Sequence, residues 1–129
     1  MKKELIICVV IIVFIVIMDI ITQKYTIDSV ETISNNLNEL KNEIKEKNNE
    51  ISSVGTNVDN LFSKWEYMHD KLAYYIEHDE LEKVDVYLVG LKSYIQNNEE
   101  SEAIEELDKC TFILKHIKDK QAFNVQNIF

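Results

Sequence analysis

The chain has 129 residues and a formal net charge of -9, with 46% hydrophobic residues, 29% charged residues, two glycines and no proline. Such a composition holds one small domain plus a tether, favours helices over sheets and gives the fold class all-α. All the basic residues are lysines, so the planar guanidinium fork that grips phosphate is missing; with the acidic balance, this excludes nucleic acid as a partner.

Leu5 to Ile21 reads LIICVVIIVFIVIMDII, with one charge, behind Lys2 and Lys3. At about 1.5 Å per residue it extends about 25 Å, enough for one crossing of the lipid bilayer. The run exceeds the apolar core of a cleaved signal peptide, and no alanine precedes Ala73 to make a small-residue cleavage site, so an uncleaved anchor is expected. Lys2, Lys3 and the amino terminus place the N-terminus in the cytoplasm and the remainder outside the cell membrane, as a single-pass protein. Asp19 falls at the outer end of the span, within reach of headgroup water. Cys8 lies inside the run without the small residue before it that a lipoprotein site needs, and Cys110 is far away in a helical pattern, so no internal disulfide is expected.

From Val30 to Tyr75 the apolar residues recur in heptads. Val30, Leu37, Ile44, Ile51, Val58, Trp65 and Leu72 form one series; Ile33, Leu40, Lys47, Val54, Leu61, Met68 and Tyr75 form the other, broken only at Lys47. A stripe of this length marks a helix pressed against another helix. Up to Val54 it is narrow and rich in asparagine, so this stalk needs a partner. A parallel homodimer is one possibility, although Glu43 against Asn48 and Glu50 against Gly55 offer no charge pairing; the chain's own C-terminal helices or another membrane protein are the others. Thr56 with Asp59 resembles a helix start beside Gly55, yet the phase runs straight across, so a continuous or gently bent helix is expected.

Beyond Val58 the stripe widens with Phe62 and Ile76, enough for two helical neighbours. Asp79 with Glu82 is expected to cap a helix reaching about Asn97, with a face of Leu81, Val84, Leu88, Leu91 and Ile95 flanked by Tyr87 and Tyr94. Asn97-Asn98 punctuates the chain. Acids at Glu99, Glu100 and Glu102 and lysines at Lys115, Lys118 and Lys120 bracket a third helix with a face of Ala103, Leu107, Cys110, Leu114 and Ile117. The expected architecture is therefore a transmembrane anchor over 1–22, a coiled-coil-like stalk over 23–56 and an antiparallel three-helix bundle over 57–129, whose apolar tail, Phe123 to Phe129, docks on it.

The soluble half resembles a family of short single-span membrane proteins from Gram-positive spore-forming bacteria, known as a domain of unknown function. The resemblance rests on Trp65, His78-Asp79-Glu80-Leu81-Glu82-Lys83-Val84, Leu91-Lys92-Ser93-Tyr94, the helix around Ala103 to Ile117, and Asn127-Ile128-Phe129. It implies a membrane-anchored helical protein without assigned activity, cofactor or catalytic residue. Gene neighbours of that family encode a multi-span membrane protein, which points to a membrane partner.

Chemistry-bearing constellations are sparse. Glu66 and His69 have the spacing of a di-iron ligand pair, but such sites need a second pair and two more glutamates; no metal is expected. His78 beside Glu80 could pass protons, but a helix junction explains it more simply, with His78 ending one helix and Asp79 starting the next. Cys110 reads as a small core residue. The aromatic set is mostly core, with rim positions suited to anchoring a partner. The sequence thus predicts no enzyme and no cofactor, but a helical interaction or scaffold protein accessory to another membrane protein. Trp65, His78, Glu80, Tyr87, Tyr94 and Phe129 are its candidate contact residues. A small sensor-like ligand-binding bundle is the second expectation.

Overall fold

The computed structural model describes residues 1–46 and 51–128, leaving the side chains of 51–52 and 122–128 outside the description. Four α-helices are present: α1 (Lys2–Glu46), α2 (Gly55–Leu72), α3 (His78–Gln96) and α4 (Glu100–Ile128), with a short 3-10 turn at Ile51–Val54 before α2. No strand occurs among the described residues.

Helix α1 joins two environments. Residues 2–21 are exposed on all sides, whereas from Gln23 onward one stripe is buried: Gln23, Thr26, Val30, Ile33, Leu37, Leu40 and Ile44. These positions alternate by three and four, so they fall on one face of a helix. The heptad begins a full repeat earlier than its apolar members show, because Gln23 and Thr26 occupy seam positions with polar side chains. The Thr26 hydroxyl satisfies itself by donating to the Thr22 carbonyl at 3.0 Å.

The expectation of a continuous or gently bent helix across Gly55 is corrected. Helix α2 runs back along α1: Asn57 donates to Glu43 at 2.5 Å, and Asn36 and Glu43 share one cavity with Lys64 and Asn57 in reverse order. Both helices carry seven-residue stripes in phase, and folding back buries the two stripes against each other. Lys47, the expected break in the seam, lies outside the described residues, as do Asn48 and Glu50.

The remaining neighbours are also antiparallel. Asp59 pairs with Lys92 and Trp65 with Asp85 across α2 and α3. Glu77 and Glu80 meet Lys120 across α3 and α4. Lys41 meets Asp108 and Glu31 meets Lys118 across α1 and α4. All four helices contribute to one apolar core: Ile33, Leu37 and Ile44 from α1, Leu61, Trp65 and Leu72 from α2, and the complete predicted faces of α3 and α4. Each buried leucine or isoleucine is worth about 1.5–3 kcal/mol over an exposed one. The surface ion pairs set register and add little. The asparagine-rich stretch is thus covered by α2 and α4 of its own chain.

The junctions explain the element ends. Asn98 takes a left-handed conformation (φ 59), where asparagine is tolerated. Glu99 N–H donates to the Tyr94 carbonyl at 2.8 Å and Asn98 N–H to that of Ile95 at 3.1 Å, closing α3 as a Schellman motif. Helix α3 starts at His78, with Glu77 at its N-cap, so the predicted Asp79 cap is corrected by two residues. Ile76 and Leu81 are both buried at the positions of a hydrophobic staple, which fixes the earlier start. Asp79 and Glu80 then occupy the first turn, where carboxylates suit the helix dipole. His78 therefore opens α3 instead of ending α2. Helix α4 continues past Lys120 to Ile128, so the expected tail is helical in its backbone.

Candidate functional site

The most developed polar constellation lies in a cleft between α2 and α3. Trp65 is buried on the core-facing stripe of α2, and its indole N–H donates to Asp85 Oδ1 at 2.6 Å. One turn along α2, the His69 ring stands edge-on to Trp65 with centroids 5.8 Å apart, and His69 Nε2 is 3.2 Å from Asp85 Oδ2. Asp85 thus spends one oxygen on the indole and the other on the imidazole. His69 Nδ1 faces Asp70 at 3.7 Å. Trp65, Glu66, His69, Asp70 and Asp85 line a cavity of about 360 Å³. The His69 partner is Asp85 from the next helix.

Cys110, on α4, is buried behind this layer. Burial pushes its thiol up to about 12, helped by the negative charges of Asp85 and Glu106. A thiol so held is protonated and inert, the behaviour of a small apolar core residue.

The other candidate residues disperse. His78 is exposed at the start of α3. Glu80 is 13% exposed and turns to α4, 3.5 Å from His116 Nε2 and 3.7 Å from Lys120 Nζ. Beside it Lys120 holds Glu77 at 2.9 Å, which lowers the Glu77 carboxyl below its ordinary range and raises the ammonium of Lys120. Tyr87 and Tyr94 lie seven residues apart on one face of α3, half-buried against the core, and Tyr87 borders an α3–α4 groove lined by Phe112 and Ile113. Phe129 lies outside the described residues. Among the described residues no three His, Cys, Asp or Glu side chains converge to hold a metal ion.

A second cluster was not foreseen. Lys71 Nζ donates to the Tyr67 hydroxyl at 2.8 Å and stands 6.0 Å from the Tyr25 ring centroid, joining the C-terminal end of α2 to α1. The hydrogen bond and charge of Lys71 lower the Tyr67 hydroxyl and raise Lys71 in turn. Asp85 escaped sequence reasoning because it acts across a helix pair, whereas Tyr67 and Lys71 stand four apart on α2, a spacing the sequence shows. For Asp85 the signal was an acid beside Val84 on the flank of a buried stripe.

No curated protein and no solved structure matches the chain. The family match begins at residue 20, close to where burial begins in α1, and takes in all four packed helices. Over residues 20–128 the sequence matches the family described as a domain of unknown function (DUF4363), and the chain belongs to that family.

Proposed function

We propose that this is a non-enzymatic, membrane-tethered interaction or scaffold protein, accessory to another membrane protein. In this reading residues 5–21 cross the cell membrane with the N-terminus in the cytoplasm. Residues 23–128 form an up-down-up-down four-helix bundle on the outer side. The observation that carries the reading is the change of environment within α1: an apolar helix exposed on every side becomes, without interruption, one wall of a packed core. An exposed apolar helix of this length has no place in water, and a bilayer is the medium that removes the cost.

Two further observations support binding as the activity. The stripe from Val30 to Ile44 is already covered by α2 and α4, so a partner is taken on other surface, and a homodimer would have to form there too. Trp65, His69 and Asp85 satisfy one another, which suits a structural brace more than a reacting centre. Crosslinking of the full-length protein in intact membranes is expected to yield one discrete larger species. Monomer alone at every crosslinker dose overturns the proposal.

The cleft beside Trp65 favours a second reading, a sensor-like bundle that binds a small ligand and signals through a partner. Thermal melting of the full chain in detergent, screened over pH, metals and small ligands, then shows a stabilised condition. A flat screen removes this reading.

A further inference from the structure

We infer that the helical domain sits directly on the membrane, with Tyr74 and Tyr75 of the α2–α3 turn seated in the lipid headgroup layer. The inference rests on the tether reading above, and three observations carry it.

The first is height. Residues of α1 and α2 at one level follow the pairing of Glu43 with Asn57, so Tyr74 and Tyr75 come level with Thr26 and Tyr25. The Lys71 ammonium, 6.0 Å from the Tyr25 ring centroid, holds this end of α2 against α1. The exposed apolar stretch of α1 ends at Ile21, four to five residues away, which is about 6–8 Å along the axis. A headgroup layer extends about 5–7 Å beyond the hydrocarbon on each side. The turn therefore lies in that layer when the apolar stretch fills the hydrocarbon.

The second is chemistry. Tyr74 is 83% and Tyr75 46% exposed, although the heptad assigns Tyr75 to the core. Two adjacent rings with apolar bodies and polar tips are costly in water and at home at a membrane boundary. Lys24, exposed three residues beyond Ile21, lies in the same layer, placed for lipid phosphate.

The third is α4. Glu31 pairs with Lys118, and ten residues further along each antiparallel helix bring Ile21 level with Ile128, the last residue of α4. Two backbone segments besides the span therefore descend to the boundary. The exposed Val86, Val89 and Phe112 lie on the outer faces of α3 and α4, away from this edge.

The test uses the full chain in phosphatidylcholine vesicles containing lipid spin-labelled high on the acyl chain. Trp65 is the single native tryptophan and lies about 20 Å beyond the hydrocarbon, so the wild type gives the unquenched baseline. Tyr74→Trp is expected to show at least twofold stronger quenching than Gln96→Trp, which labels the far end of α3. Ile12→Trp reports the span. If Ile12→Trp is quenched and Tyr74→Trp is not, the seating is wrong and the tether stands. If Ile12→Trp is also unquenched, the tether reading falls and takes the seating with it.

Discussion

The two halves of α1 share one helix and nothing else. Residues 5–21 are apolar on every side but for Asp19, and none is buried; residues 23–46 are mostly polar, yet bury an unbroken stripe. Hydrophobic content and burial run in opposite directions along the same element. Periodicity decides where a helix packs within a protein, whereas unbroken apolarity marks the segment that packs against none of it.

Substitution within each half is the strongest way to break that contrast. Ile33→Ala removes a fully buried side chain and is expected to cost about 2–5 kcal/mol in denaturant unfolding of the full chain in detergent. Ile12→Ala on the same helix is expected to leave that transition unmoved. Equal losses would mean that the two halves share one packing environment. Trp65→Phe keeps the ring but leaves Asp85 without its indole donor, and a loss of about 1.5–3 kcal/mol is expected by the same measurement. An unchanged midpoint would show that water replaces the indole without cost.

Gly55→Ala sharpens the contrast from the other side. A Cβ there meets nothing within 4 Å and φ is not positive, so the change should raise stability by about 0.4–1 kcal/mol through the unfolded chain. A loss would mean that the start of α2 needs the backbone freedom of glycine. The mildest perturbation changes no residue. Folded protein in detergent at pH 8 is expected to leave Cys110 unmodified by iodoacetamide, with modification only after denaturation. The unfolded thiol ionises near its ordinary value of 9.0 and the folded one near 12, so the stability it contributes is full below pH 9.0 and drains away as pH rises towards 12. Rapid labelling of native Cys110 would place it outside the core.

The helices most legible in the sequence were α3 and α4. Leu81 to Ile95 and Ala103 to Ile117 keep one helical period, Asn97-Asn98 separates them, and all ten predicted face residues are buried. The return of α2 along α1 was hidden for a physical reason. Ile44, Ile51, Val54 and Val58 continue the heptad phase across the reversal, and phase alone cannot separate one long helix from two that fold together. Gly55, the apparent breaker, opens α2 at its first position. The Trp65–Asp85–His69 cluster was half visible: Trp65 stood in the seam, but its partner comes from twenty residues on, at a distance no helical period encodes.

The continuity of α1 has a mechanical consequence. Between Lys2 and Glu46 the sequence has neither glycine nor proline, and the structure shows one uninterrupted helix. The 25 residues beyond Ile21 make a lever arm of about 37 Å. A tilt of the apolar half by about 10° would swing its far end by about 6 Å, and a twist would turn the packed domain through the same angle. A flexible leash would absorb such motion; this shaft transmits it in both directions.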